Sequence, residues 1–281
     1  MSFLFENESS NIPEGLIYEL ASNLEAKMTE FKNAGVTQLQ VVLDFDRTLT
    51  EKSDENSTSW QLMRNHLPPE GKIEARKVYE HYRALEVAEQ LTSDDATTWW
   101  MSSMAIIAKY RLDMNIVERE FLSHATIRTG TKELFELCAQ YDIPTIIMSA
   151  GIKNVIQLWC KTYDIYPTII LSTELTLDSD NHVTGWKDGS VVHMFNKHEL
   201  DHPELSKIRA ERSYTILAGD SIHDYNMAKG RDTVLRVRIL DGLDDTADQG
   251  LVRQDTFKVF DTIIEDGTLN PLVELIKQIA I

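Results

Sequence analysis

Cysteine is scarce. Cys138 and Cys160 are the only two in a chain of 281 residues. Their separation fits no metal-ligand pattern, and both fall in amphipathic stretches. They read as buried thiols in a reducing compartment, which excludes a disulfide framework. Positive charge is also in deficit. Lys plus Arg number 28 against 45 Asp plus Glu, a net charge of −17. Polymeric nucleic acid and anionic membrane both select basic patches, so neither is an expected partner. A small phosphorylated molecule in a locally positive pocket is still admissible, because physiological salt screens long-range repulsion. Long apolar runs are missing, and none approaches a membrane span. The stretch Met1 to Phe5 meets Glu6 too soon for a signal-peptide apolar region, so a cytosolic location is expected. Without a secretory signal, the sequons at Asn7 and Asn56 read as coincidence. His193, His198, His202 and His223 have spacings that match no zinc site. Repeats and low-complexity linkers are absent.

What is present is material for a core. Hydrophobic residues make up 42% of the chain, enough for one large or two small domains. The run Leu39 to Leu43 reads as a buried strand of a parallel sheet. Before it, Asn11-Ile12-Pro13-Glu14 predicts a capped helix start, with Leu16, Leu20, Leu24 and Met28 at helical spacing and a stop at Gly35. From Glu51 to about Ala125 the pattern is helical, with helices predicted near 60–66, 72–87, 94–109 and 116–124. Alternation of strand and helix then resumes. Strands are predicted at 144–148, 168–171, 214–218, 234–239 and 258–260, with short antiparallel strands between 174 and 195 and a final helix over 270–280. The stretch Asp241 to Asp248 reads as a solvated loop. The expected fold is α/β: a doubly wound, mostly parallel core formed by residues 1–50 and 126–281, with a helical cap domain, 51–125, inserted after the first core strand.

The chemistry gathers where strands end. Asp44-Phe45-Asp46-Arg47-Thr48-Leu49 follows the strand Leu39 to Leu43 directly. Ligands of open α/β sheets bind at that carboxyl edge. Two carboxylates so close repel each other, and partial burial raises the penalty. A divalent cation or a phosphate-handling role would offset it. One carboxylate can attack phosphorus and form an aspartyl-phosphate, and a second can protonate the leaving oxygen and then activate water. Two further strand ends carry Ser149 and Asp220, Asp224 follows Asp220 by four, and Asn196-Lys197-His198 follows the antiparallel stretch. A strand-to-helix cap is an ordinary role for Ser149, and helix-dipole stabilisation is one for Asp224.

Taken in order, Asp-x-Asp-x-Thr, a later Ser, a Lys and Gly-Asp-Ser-x-x-Asp resemble the four motifs of haloacid dehalogenase-like (HAD) phosphohydrolases. Within that superfamily, Met148-Ser149-Ala150-Gly151-Ile152, His193 to His198 and Leu217 to Asp224 resemble the cytosolic 5′-nucleotidase III, or pyrimidine 5′-nucleotidase, family. So do Tyr82 to Val87 and Trp99 to Ser103. Arg47 stands where the family often has Met or another apolar residue.

The resemblance implies a Mg²⁺-dependent phosphomonoesterase. Asp44 would be the nucleophile and Asp46 the general acid/base. Mg²⁺ would be held by the Asp44 carboxylate, the Asp46 main-chain carbonyl and Asp220, with Asp224 supporting from behind. Ser149, Ala150, Lys197 and Thr48 would serve the phosphate. Glu86 and Ser103 would read the nucleoside, and Trp99 or Trp100 would stack on the base. Adjacent helical positions diverge by about 100°, so one of the two tryptophans is expected in the core of the cap. The expected substrate is a nucleoside 5′-monophosphate, UMP or CMP, with 7-methyl-GMP a further candidate, and the expected state is a monomer. Alternatives are a phosphatase of another small phosphomonoester, such as phosphoserine, a nucleoside phosphotransferase, or a non-catalytic binding protein that kept the fold.

Overall fold

The computed structural model describes residues 12–19, 21–51, 58–124, 126–198, 202–240 and 249–280. The predicted cap at Asn11, the apolar position Leu20, the sequons at Asn7 and Asn56 and the stretch 241–248 lie outside them. In chain order the elements begin with β1 (Leu16–Ile17), α1 (Ala21–Ala34) and β2 (Leu39–Leu43). Four helices follow: α2 (Ser59–Asn65), α3 (Pro69–Val87), α4 (Ser93–Lys109) and α5 (Met114–His124). Then come α6 (Thr131–Gln140), β3 (Thr145–Ile152), α7 (Lys153–Thr162), β4 (Ile169–Thr173), β5 (Leu175–Leu177) and β6 (Val183–Trp186). The chain continues with α8 (Ser206–Glu211), β7 (Tyr214–Gly219), a short 3₁₀ helix Ile222–Ala228, β8 (Thr233–Ile239), α9 (Gln249–Thr256), β9 (Thr262–Ile264) and α10 (Asn270–Ala280).

Seven strands form one sheet in the order β1-β9-β8-β7-β2-β3-β4. All neighbours are parallel except β1, which runs antiparallel to β9. β5 and β6 make a separate antiparallel pair. β2 is buried along its whole length. Its side chains alternate: Val41 and Leu43 join the larger apolar cluster with Phe45 and Trp159, while Val42 joins Ile146, Met148 and Leu217 on the other face. Gln40 is buried too, and its Nε2 donates to Thr215 Oγ1 at 3.0 Å. From β2 the chain builds outward to β3 and β4 on one side, then to β7, β8 and β9 on the other, where β1, which precedes β2 in the chain, closes the edge. The carboxyl end of β2 is therefore the topological switch point, where such sheets place their ligands.

Two local expectations are corrected. The first helix does not begin near Pro13: Leu16 and Ile17 pair with Ile264 and Ile263, and the helix starts at Ala21. Gly15, at φ +85°, turns the chain into that short strand. The last strand lies at Thr262–Ile264 rather than 258–260, preceded by the unpredicted α9.

Candidate active site

The loop after β2 is wound around one carbonyl. Phe45 O accepts from the N–H groups of Thr48, Leu49 and Thr50 at 3.0–3.3 Å, and Asp44 N–H donates to Ala218 O at 2.9 Å. Arg47 adopts a left-handed conformation, φ +64°, to complete the turn. Behind it lies a residue that carried no sequence signal. Arg128 is 1% exposed, and its guanidinium donates to Arg47 O (2.5 Å), Thr48 O (2.7 Å), Thr50 O (3.2 Å) and Gly267 O (3.0 Å). Arg128→Met would strand several buried carbonyls without donors. It is expected to destabilise the fold by about 3 kcal/mol or more in urea unfolding, and to lower activity through the slackened loop.

In front of that loop the charges converge. Lys197 Nζ lies 2.7 Å from Asp44 Oδ1 and 2.6 Å from Asp224 Oδ1, with all three residues buried. Carboxylate oxygens of Asp44, Asp220 and Asp224 come within 4.8 Å of one another. Burial raises Asp44 to about 6, with Lys197 opposing the rise and Asp224 adding to it. Burial, then the charges of Asp224 and Asp44, lift Asp220 well above the carboxylate range. Burial would lower Lys197, but the two carboxylates outweigh it and hold the ammonium above its ordinary value. One ammonium thus stands against a cluster of three carboxylates, two of them buried and in contact with it and the third, Asp220, half-buried. That donor set is all oxygen, negatively charged and closely spaced, and it fits a hard divalent cation such as Mg²⁺. Asp224 is also fixed from the backbone: its Oδ2 accepts from Ser221 N–H at 2.9 Å in a capping box. A Cβ on Gly219 would sit 2.3 Å from that oxygen, so only glycine lets Asp224 approach.

Asp46 faces a different wall. It accepts from Ser59 N–H, and its Oδ1 is buried with no partner among the described residues. Burial first, and the Asp44 charge second, push its pKa up to about 7, with Arg47 opposing. Asp46 therefore carries a proton for much of the time near neutrality, while Asp44 is largely ionised. Ser149 is 1% exposed, and its Oγ accepts from Gly151 N–H at 3.0 Å. A Cβ added to Gly151 would meet Ser59 Oγ at 2.9 Å, Asp46 Oδ2 at 3.1 Å and Ser149 Oγ at 3.2 Å, so this glycine keeps a polar recess open. Ser59 was not singled out by sequence. It serves Asp46 through its N–H, and its Oγ accepts from Ile152 N–H at 3.2 Å.

The structure brings together Asp44, Lys197, Asp220 and Asp224, and separately Asp46, Ser149 and Gly151. Thr48 is fully buried, and its hydroxyl has no partner among the described residues. The predicted nucleoside residues are less concentrated. Glu86 forms an ion pair with Arg83 on α3, and Ser103 is half-buried on α4. Trp99 stacks on Tyr82 (5.7 Å, 16°) and neighbours Tyr79. Trp100 meets the Trp99 ring edge-on at 5.2 Å and Trp60 edge-on at 5.8 Å, with its Nε1 donating to Ala150 O at 3.0 Å. Both tryptophans are 8% exposed, because α4 lies between α3 on one side and α2 and β3 on the other.

A switch-point site of this build, on a mostly parallel sheet, defines a HAD-like phosphohydrolase. The sequence pattern of the pyrimidine 5′-nucleotidase (UMPH-1) family matches residues 47–280, and the chain belongs to that family. Curated relatives include 7-methylguanosine phosphate-specific 5′-nucleotidase A of Xenopus laevis, 26% identical over 240 residues, covering 80% of this chain and 82% of the relative. The Mus musculus 7-methylguanosine phosphate-specific 5′-nucleotidase is 25% identical over 289 residues, covering 98% and 95%. Among solved structures, cytosolic 5′-nucleotidase IIIB bound to cytidine superposes with a TM-score of 0.78 at 24% identity, covering 95% of this chain and 94% of that one. A phosphoserine phosphatase shares the fold at a TM-score of 0.55 and 13% identity, covering 85% and 98%.

Proposed function

We propose that this chain is a cytosolic, monomeric, Mg²⁺-dependent 5′-nucleotidase that hydrolyses pyrimidine or 7-methylguanosine 5′-monophosphates through an aspartyl-phosphate on Asp44. The observation that carries this is the buried Asp44–Lys197–Asp224 contact beside a protonatable Asp46. The Asp44 carboxylate attacks phosphorus, and the bond from phosphorus to the 5′-oxygen breaks. Asp46 gives its proton to that oxygen, and the nucleoside leaves. Asp46, now a carboxylate, takes a proton from a water whose oxygen attacks phosphorus. The bond between phosphorus and Asp44 then breaks, releasing phosphate and restoring the Asp44 carboxylate. Lys197, and Ser149 with the backbone beside it, bind the phosphoryl oxygens and keep their charge from repelling Asp44. Mg²⁺, held by Asp44, Asp220, the Asp46 main-chain carbonyl and the supporting Asp224, would supply further neutralising charge on those oxygens. Residues 51–125 form the cap that covers the site, with Glu86, Ser103 and Trp99 reading the nucleoside.

Phosphate release is measured from UMP, CMP, AMP, GMP, 7-methyl-GMP and phosphoserine. Turnover of UMP, CMP or 7-methyl-GMP is expected, lost with EDTA and restored by Mg²⁺. Turnover of phosphoserine alone overturns the nucleotidase assignment. The pH profile of kcat/KM should rise as Asp44 loses its proton near 6 and fall as Asp46 loses its proton near 7. Bound Mg²⁺ favours the Asp44 carboxylate, so raising its concentration should move the acid limb lower.

A further inference from the structure

Ala150 sits between two indoles. Its carbonyl accepts from Trp60 Nε1 at 2.8 Å and from Trp100 Nε1 at 3.0 Å. Both tryptophans belong to the helical segment between β2 and α6, one on α2 and one on α4, whereas Ala150 lies in the core strand β3. Base stacking does not call for this arrangement, because indole N–H groups aimed at a backbone carbonyl are tied to the core. The same peptide unit has another end. A planar peptide that presents Ala150 O to the indoles presents Gly151 N–H in the opposite direction. That N–H donates to Ser149 Oγ at 3.0 Å. The Ser149 hydroxyl therefore has a lone pair engaged, and its own proton is left to donate to an incoming oxygen.

We propose that Trp60 and Trp100 are positioning residues that orient the Ala150–Gly151 peptide, and through it the Ser149 hydroxyl, for the transferring phosphoryl group. This deepens the nucleotidase assignment and rests on it for the identity of the phosphorylated ligand. The chain of donors runs in one sense, from indole N–H to carbonyl and from amide N–H to hydroxyl, so each bond polarises the next. Ser59, the neighbour of Trp60, extends the same contact by accepting from Ile152 N–H and donating to Asp46. Seating of α2 and α4 thus sets the phosphate loop and the acid/base carboxylate together. A mis-seated helical segment leaves a site that binds phosphate poorly.

The test compares inorganic-phosphate affinity, by titration calorimetry in the presence of Mg²⁺, across the full-length wild type, W60F, W100F and W60F/W100F. Either single variant leaves one donor on the carbonyl and should weaken phosphate about threefold or less. The double variant leaves the buried carbonyl without either indole and should weaken it about tenfold or more, beyond the product of the singles. In an S149A background the double substitution should add little, because the group being oriented is gone. Affinity for the product nucleoside should stay unchanged. If the double variant folds poorly, benzothienylalanine at position 60 in W100F keeps the bicyclic ring and exchanges only N–H for sulfur. Retained phosphate affinity overturns the proposal. So does an equal loss in the S149A background, or a loss confined to the nucleoside. If the wild type releases phosphate from no nucleotide, yet shows this pattern with inorganic phosphate, the nucleotidase assignment falls and the positioning role stands.

Discussion

Asp44→Asn is expected to reduce phosphate release from the preferred nucleotide by about four orders of magnitude or more, with the fold intact. The substitution keeps the shape of the side chain and removes the nucleophile. It should cost little stability, because Lys197 retains Asp224 at 2.6 Å and one buried negative charge is gone. An unaltered melting temperature beside lost turnover separates chemistry from folding. Asp46→Asn tests the partner. Its expected loss is about 10²- to 10⁴-fold on a nucleotide, the range for general acid/base catalysis. The loss should be smaller for the first step of p-nitrophenyl phosphate hydrolysis, whose leaving group departs without a proton. An unchanged nucleotide rate in Asp44→Asn would remove Asp44 as the attacking group.

The sheet and the acidic half of the site were legible in the sequence for one reason. β2 is a buried and, but for Gln40, apolar run, and such runs in parallel sheets end at the ligand edge. Asp44 and Asp220 each sit directly beyond the end of a buried strand, whereas Ser149 lies within β3, just past Met148, where the pairing with β4 shifts register. Lys197 had no such address and came from motif order. What stayed hidden depends on distant partners. Arg128 looks like any charged residue between two helices, and only the fold brings it to the carbonyls of 47, 48 and 50. Ser59 and Trp60 look like an ordinary helix start, and their contacts to Asp46 and Ala150 are long-range. β1 has two residues, too few for any periodicity, and it exists because β9 offers it an edge. The tryptophan pair shows the limit of helical-wheel logic. Adjacent helical side chains can both be buried when each finds its own neighbours, as Trp99 does against Tyr82 and Trp100 against Trp60 and Ala150, with the two rings also in edge contact.

Lys197→Met is the second large expected effect, and it falls on stability as well as rate. Lys197 is the ammonium in contact with Asp44 and Asp224, and it is 5% exposed. Removing one partner of a buried pair costs about 3–5 kcal/mol, because the remaining charges keep their desolvation penalty and lose their compensation. The cost should depend on pH with a definite sign. Asp44, Asp46 and Asp220 all have folded-state pKa values raised above the ordinary carboxylate value of 3.8. The folded state then holds more protons than the unfolded one between that value and the raised one. Metal-free stability is full below 3.8 and falls as pH rises through 6 to 7. Loss of the Lys197 charge raises the carboxylate pKa values further, so the fall should be steeper and extend higher in Lys197→Met. Mg²⁺ acts oppositely, since it binds the ionised cluster and stabilises by mass action. Melting by calorimetry at pH 5 and 7.5, with and without Mg²⁺, reads all of this. The variant should melt well below wild type at pH 7.5, approach it at pH 5, and gain more from Mg²⁺ than wild type does. Equal melting temperatures at pH 7.5 without metal would mean that the lysine does not hold the cluster together. Its role would then be confined to the phosphate, and the loss would fall on activity alone.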